Sequence, residues 1–269
     1  MSSIVVVVVI LVVIGILLYV LYNRVKYLTM QTEVYTNVSK SWDSLISDTY
    51  YINLDRSPDR KVYMEDILSK ADIPYKRFAA IEGKNKVNMY ENLKVTPGAL
   101  GCKLSHLEIL KKVKKDGWTI VFEDDILFDN PSSIKNDIIN CISSLPEDSE
   151  LVLFGTSPRL LYLYLLLNRF EPYKNNIWKT NSNLTCAHAY AITYNGAQKW
   201  IKEIEKYMCE KPFDMHPKGI DTIYLYTKKI DNHKSSIPIL SQILKLKDMC
   251  YIEQNKAKFG YFDSLITLS

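Results

Sequence analysis

The chain has 269 residues, of which 47% are hydrophobic and 24% are charged, and its formal net charge at pH 7 is +4. This composition supplies ample apolar side chains for a buried core. The net charge is small and the lysines are spread along the chain, so the charge pattern gives no indication of nucleic-acid binding.

An uncharged apolar stretch occupies residues 4–21, near the N-terminus. At about 1.5 Å of rise per residue, this stretch is close to the minimum length of a bilayer-spanning helix. It lacks the basic n-region and the small-residue cleavage site of a signal peptide. We therefore predict a retained single-pass transmembrane anchor at residues 1–26.

A polar segment follows the anchor and predicts a stalk at residues 27–45, before a catalytic domain at residues 46–269. Arg24 and Lys26 follow the apolar stretch, and the positive-inside bias would place the domain in the cytoplasm. Two glycosylation sequons, which begin at Asn37 and Asn183, would be usable only in a lumen. The sequence leaves the side of the membrane open.

Predicted strands alternate with predicted helices after the stalk. The strands are expected at residues 49–53, 75–81, 118–122, 151–154 and 187–193. Ser57 and Thr96 each precede a proline, which is typical of a helix N-cap and first helical residue. The alternation predicts a single α/β domain with a mostly parallel central sheet. In such a sheet the polar residues after the first three strands would meet at one edge, where ligands bind.

The third of these strands runs into an acidic triplet, which consists of Glu123, Asp124 and Asp125. Side chains alternate along an extended backbone, so Glu123 and Asp125 are expected on one side and Asp124 on the other. Two carboxylates this close suit Mg²⁺ or Mn²⁺ with bound phosphates. The alternative interpretation is a solvated loop after a strand.

Two arginines, Arg56 and Arg60, lie around the start of the first helix of the domain. Backbone amides at a helix start and a guanidinium both favour phosphate. The alternative is that both arginines are ordinary surface residues.

Two late aspartates, Asp214 and Asp221, are candidates for a general base. A general base must lie within hydrogen-bond reach of the hydroxyl group whose proton it removes, and a carboxylate can serve in that role. Asp221 lies close to a glycine and would also serve as an ordinary helix N-cap. A proline follows Asp214 closely, so that alternative is weaker for Asp214.

Histidines and cysteines give weaker signals. His106 and His188 are expected to be satisfied, partly buried side chains, whereas His216 and His233 are candidates for a third metal ligand. The five cysteines show no zinc-type spacing and are expected to be small buried side chains.

Several stretches together resemble glycosyltransferase family 25, which contains lipooligosaccharide and procollagen galactosyltransferases. The segments that carry the resemblance are residues 51–60, 77–83, 98–106, 122–125, and then 189–197, 212–214 and 238–242 in the closing third. They occur in the family's order and cover most of the chain after the stalk. Residues 158–179 have no counterpart in the family pattern and are candidates for acceptor selection.

The resemblance implies a GT-A-like fold, an inverting mechanism and a UDP-sugar donor, with galactose expected first and glucose second. It implies that Glu123 and Asp125 bind Mn²⁺ or Mg²⁺. The residues expected around the nucleotide are Asn53, Arg56, Arg60, Glu82, Gly83 and Asp124. The base would be Asp214 or Asp221, and the spacing from residues 196–197 favours Asp214. Family members of the secretory pathway face the lumen, in conflict with the flanking charge.

The predicted activity is hexose transfer to a hydroxyl on a glycan, a lipid-linked sugar or a protein. One alternative is a membrane-anchored module that binds a nucleotide sugar without turnover. Another is a different metal-dependent enzyme that acts on nucleotide sugars without an acceptor.

Overall fold

The computed structural model describes residues 3–30, 40–128, 130–155, 170–174, 177–180, 187–211, 213, 220, 223–226 and 252–254. The chain begins with a helix, α1, at Ser3–Met30. Within the described ranges, no helix has the length and hydropathy needed to cross a membrane. The anchor at residues 1–26 therefore stays a prediction from the sequence.

The domain begins with a short helix, α2 (Trp42–Leu45), which leads directly into strand β1 (Ile46–Asn53). Helix α3 (Pro58–Lys70) and strand β2 (Lys76–Ala79) follow. Trp42 and Leu45 are buried in the core, although the sequence assigns them to the stalk. The domain described here therefore includes the end of the predicted stalk segment.

The middle of the domain contains the predicted strand that leads into the acidic triplet. Helix α4 (Pro97–Leu110) is capped by Thr96, whose hydroxyl accepts a hydrogen bond from the Ala99 amide. The elements that follow are β3 (Trp118–Glu123), β4 (Ile126–Phe128), α5 (Pro131–Ser144) and β5 (Leu151–Leu153).

The last described elements complete the sheet. They are β6 (Phe170–Lys174), β7 (Ile177–Thr180), β8 (Ala189–Ile192), α6 (Tyr194–Lys206), β9 (Ile223–Tyr226) and β10 (Ile252–Gln254). Each of the five strands predicted from the sequence is present in the structure.

The central sheet has the strand order β2-β1-β3-β8-β5-β9-β7-β6, and β10 pairs with β4 in a separate two-stranded sheet. The prediction of a mostly parallel sheet is wrong, because β8 is antiparallel to both β3 and β5, and β7 to both β6 and β9. Only two residues separate β6 from β7, and so short a connection can join only antiparallel strands. The part built from β1, β2 and β3 is parallel, as predicted.

Two apolar cores cover the two faces of the sheet, and adjacent strand residues alternate between them. Ile52 and Val121 belong to the core beneath α4 and α6. Tyr51 and Phe122 belong to the core beneath α3 and α5. This alternation is expected of strands that are buried on both faces.

The parallel register brings the ends of the first and third strands to one edge of the sheet. Ile52 pairs with Glu123, so Asn53 at the end of β1 lies level with the acidic triplet that begins at the end of β3. This is the convergence that the α/β pattern predicts.

Candidate active site

The acidic triplet is buried at the end of β3. Glu123, Asp124 and Asp125 are only 5%, 1% and 5% exposed, which contradicts a solvated loop. The strand ends at Glu123, and the two aspartates form a turn. The predicted alternation of side chains therefore does not extend past Glu123. Buried carboxylates are costly unless they are paired, so their partners define the site.

Asp124 is held by two residues from other elements. The Asn53 amide at the end of β1 donates to Oδ2 over 2.7 Å, and the Arg60 guanidinium in α3 donates to Oδ1 over 2.8 Å. Burial raises the pKa of Asp124, while Arg60 and the hydrogen bonds act to lower it. The surface interpretation of Arg60 is wrong, because this side chain is buried and lies against the triplet.

The carboxyl group of Asp125 has one oxygen that can still accept a hydrogen bond or bind a cation. Its Oδ2 lies 3.9 Å from Arg60 Nη1, whereas its Oδ1 is buried with no hydrogen-bond partner among the residues that the structure describes. Burial, together with the charges of Glu123 and Asp124, raises the pKa of Asp125 to about 8. Such a carboxyl group binds a proton readily and fits a cation equally well.

Glu123 faces helix α4. Its Oε1 lies 3.4 Å from His106 Nε2 and 4.0 Å from Cys102 Sγ, and His106 Nδ1 lies 3.0 Å from the Tyr190 hydroxyl. Burial raises the pKa of Tyr190 well above its usual value, so this hydroxyl keeps its proton and can donate to Nδ1. Nε2 is then able to carry the imidazole proton and donate to Glu123. His106 is thus a satisfied histidine, as predicted, although it is fully rather than partly buried.

The donor atoms of the site fit a divalent cation that prefers oxygen ligands. Asp125 offers an unused carboxylate oxygen beside Glu123, and hard oxygen ligands suit Mg²⁺ or Mn²⁺. Cys102, His106 and Glu123 also place one donor atom each within 4.8 Å of one another. These three residues contact each other and Tyr190. We therefore interpret them as a hydrogen-bonded network and not as a metal site.

A second pair of charges lies at the rim of this edge. Arg56 donates to Glu82 over 2.7 Å, and both side chains are partly exposed. Arg77 in β2 donates to both the side-chain and the main-chain oxygen of Asn53. Asn53 is therefore fixed on both sides, by Arg77 and by Asp124.

Gly83 has a packing role in this structure. A Cβ at this position would lie 1.7 Å from the Pro97 carbonyl oxygen and 2.6 Å from the Gly101 amide nitrogen. The turn at Gly83–Asn85 therefore touches the backbone of α4 directly. Only glycine allows so close an approach.

The two candidate bases, Asp214 and Asp221, lie outside the described residues, as do His216 and His233. The structure does describe their neighbour Phe213, whose side chain is buried. Its ring stacks on His106 with centroids 4.0 Å apart, and on Trp200 with centroids 4.5 Å apart.

Comparison with protein-family models decides the assignment. Residues 46–216 match the model of glycosyltransferase family 25, which is described as an LPS biosynthesis protein. The chain belongs to glycosyltransferase family 25. Membership supports glycosyl transfer as the activity of this protein. The matched region contains the acidic triplet and the contacting residues described above, Asn53, Arg60, Cys102 and His106.

Other comparisons add little to the family 25 assignment. No curated protein matches the sequence. Among solved structures, the chain is similar to a glycosyltransferase involved in the glycosylation of the major capsid of PBCV-1. The sequence identity is 11%, the TM-score is 0.40, and the match covers 78% of this chain and 94% of the other.

Sequence reasoning missed some contacts of this family 25 site. Arg77, Tyr190 and the contact between His106 and Glu123 were not predicted. Cys102 and His106 are four residues apart on one helix, and that spacing is a signal that they share a face. Tyr190 lies on a distant strand, so only the tertiary structure could reveal its contact.

Proposed function

We propose that the protein transfers a hexose from a UDP-sugar to a hydroxyl acceptor with inversion at the anomeric carbon, with galactose the first expectation and glucose the second. The observation that supports this most directly is the buried acidic triplet at the edge of the parallel strands, held by Asn53 and Arg60. Family membership gives the class of reaction. The donor, the sugar and the metal are our proposal.

Glu123 and Asp125 would hold Mn²⁺ or Mg²⁺. The metal would supply neutralisation of the charge that grows on the leaving diphosphate. The unused Oδ1 of Asp125 supports this assignment, because a bound cation would satisfy a buried oxygen. The His106 contact would keep the Glu123 carboxylate in a fixed orientation.

The remaining residues of the edge would form the nucleotide side. Arg56 and Glu82 are partly exposed and would contact the nucleotide directly. Asn53, Arg60 and Asp124 are buried. They would fix the position of the two metal-binding carboxylates without contacting the nucleotide. Gly83 would let the turn lie close to α4, which shapes the rim.

We assign the general base to Asp214 rather than Asp221. Two observations support this choice. The family match ends at residue 216, so it includes Asp214 and stops before Asp221. Phe213, the preceding residue in the sequence, stacks on His106 beside Glu123. A base at Asp214 would accept the proton of the acceptor hydroxyl.

The acceptor would be a hydroxyl on a glycan, a lipid-linked sugar or a protein. We propose that an N-terminal anchor holds the enzyme at a membrane, where an acceptor of any of these classes could be presented.

A donor screen tests the proposal. The full-length chain in detergent would be given UDP-galactose, UDP-glucose and other nucleotide sugars with Mn²⁺, and UDP release would be measured. We expect metal-dependent release from one donor, and loss of at least about 100-fold in Asp125→Asn. Asp66→Asn, an exposed carboxylate on α3, is the matched control and should keep full activity.

The other outcomes separate the alternatives. Tight, metal-dependent donor binding without turnover in the presence of glycan acceptors would support the binding module. Donor hydrolysis that no acceptor increases would support a different nucleotide-sugar enzyme. No binding of any nucleotide sugar would overturn the proposal.

A further inference from the structure

Lys103 is a fully buried lysine in the middle of α4. Burial of an ammonium group is costly unless the charge is compensated, and here burial lowers the pKa of Lys103 to about 8. Within the described ranges no carboxylate pairs with it. Its contacts are instead with main-chain carbonyl oxygens.

The Lys103 ammonium binds the C-terminal end of α6. Nζ donates to the Tyr207 carbonyl over 3.2 Å and to the Met208 carbonyl over 2.5 Å. Tyr207 is the C-cap of this helix. Carbonyl groups at a helix end lack intrahelical partners and carry the negative end of the helix dipole, so a cation is favoured there.

A second contact ties the same turn to the chain that precedes α4. The Lys94 amide donates to the Cys209 carbonyl over 2.7 Å, and the Glu210 amide donates to the Tyr207 carbonyl over 3.1 Å. The turn at residues 207–210 is therefore held from two directions. It leads within a few residues to Phe213, which stacks on His106.

We propose that the buried ammonium of Lys103 is a positioning group, which fixes the end of α6 and thereby holds Phe213 against His106, the histidine that contacts Glu123. The inference rests on the proposed function for its catalytic consequence. The contact itself does not depend on that function. Lys103 lies one helical turn from His106 on the same helix. Helix α4 therefore carries both the lysine that binds the end of α6 and the histidine on which Phe213 stacks.

Two substitutions separate charge and hydrogen bonding from packing. Met in place of Lys103 has a similar length and fills the space, but it donates no hydrogen bond. Arg keeps both the charge and the donors. A role in packing alone would be preserved by Met, whereas the proposed role would be preserved by Arg.

Hydrogen exchange of the full-length protein in detergent tests the contact without reference to activity. At pH 7 we expect the amides of residues 207–211 to exchange at least about 10-fold faster in K103M, because their opening becomes less costly. K103R should stay within about twofold of the wild type. K111M, an exposed lysine at the end of α4, is the matched control.

Kinetics test the consequence for the reaction. In K103M we expect kcat to fall about 10-fold or more while KM for the donor changes by less than about threefold, because Arg56 and Glu82, the proposed nucleotide contacts, pair with each other and have no described contact with Lys103. K103R should retain most of kcat. If K103M does not fold, K103Q keeps an amide donor without the charge and replaces it in both experiments.

The pH profile gives a third readout. Wild-type kcat should decline above about pH 8, where the ammonium loses its proton, and K103R should not show this decline. The ionisable groups that act on Lys103 among the described residues are the thiols of Cys209 and Cys102. Both oppose the lowering of its pKa.

Three results would overturn the inference. Unchanged exchange at residues 207–211 in K103M would show that the ammonium does not hold the turn. Faster exchange with unchanged kcat would show that the turn does not position the reaction. A decline above pH 8 that persists in K103R would assign that titration to another group. If the wild type transfers no sugar, the proposed function fails, and the exchange rates still decide whether Lys103 holds α6.

Discussion

Asp125 combines burial, negative neighbours and a carboxylate oxygen that no described group satisfies. A carboxyl group whose folded-state pKa is raised from 3.8 to about 8 is favoured in its protonated form. Its contribution to stability is full below the unfolded pKa and is lost as the pH rises towards 8. The apo site therefore has an electrostatic strain that a proton or a cation relieves.

We expect Asp125→Asn to raise the thermal midpoint of the metal-free protein at pH 8 and to leave it unchanged near pH 4. The amide removes the ionisation that becomes unfavourable between these values. For a domain of this size, 1 kcal/mol shifts the midpoint by about 2–4 °C. Circular dichroism melts in EDTA across this pH range would measure the effect. Equal shifts at both pH values, or the same shift in Asp66→Asn, would contradict the account.

Arg60 and Arg56 allow a matched test of burial. Arg60 is buried against Asp124 and Asp125, so Arg60→Met should cost about 3–5 kcal/mol of unfolding free energy by leaving carboxylates unpaired. Arg56→Met breaks an exposed pair with Glu82 and should cost less than about 1 kcal/mol. Urea unfolding at pH 7 compares the two. Similar losses in both variants would contradict the inner position of Arg60.

At the scale of elements, short sequence signals correctly predicted where individual helices begin. Ser57 and Thr96, each before a proline, mark the starts of α3 and α4 in the structure. The sheet direction beyond β3 was not predictable, because β8 lies between β3 and β5 although it is later in the sequence. Strand order depends on tertiary packing, and the alternation of strands and helices does not encode it.

Close backbone contact between α4 and the Gly83 turn gives a prediction for Gly101. Alanine would favour the helix by about 1 kcal/mol, but its Cβ would lie 2.4 Å from the Ile81 carbonyl oxygen and 2.7 Å from the Gly83 amide. Both neighbours are backbone atoms, so we expect a net loss of about 1–3 kcal/mol in Gly101→Ala. Gly15→Ala is the control in the same urea titration, because an added Cβ there would meet no atom of the described residues within 4 Å apart from the backbone of its own helix. Unchanged stability in Gly101→Ala would contradict this contact.

For the whole molecule, the sequence predicted which residues meet but not how they meet. Asn53, Arg60 and the acidic triplet converge as expected, because parallel strands end at a common edge. The division of labour within the triplet was not predicted. It depends on the turn after Glu123 and on α4, which brings His106 to one carboxylate while α3 brings Arg60 to the others.

The predicted anchor is testable by fractionation. We expect the full chain to stay with membranes after carbonate extraction, because the apolar stretch at residues 4–21 would partition into the bilayer. A variant without residues 1–40 should be released and should still bind UDP, since Trp42 is the first core residue among those the structure describes. Release of the full chain by carbonate would contradict the anchor.

The most direct test of the central claim is the affinity of the full chain for UDP with and without Mn²⁺. The account predicts that Mn²⁺ tightens UDP binding by at least about 10-fold, because both would meet at the acidic triplet. Asp125→Asn should lose this coupling, and Asp66→Asn should keep it. If UDP binds equally well with and without Mn²⁺, or does not bind at all, the buried carboxylates are not a donor site and the account is contradicted.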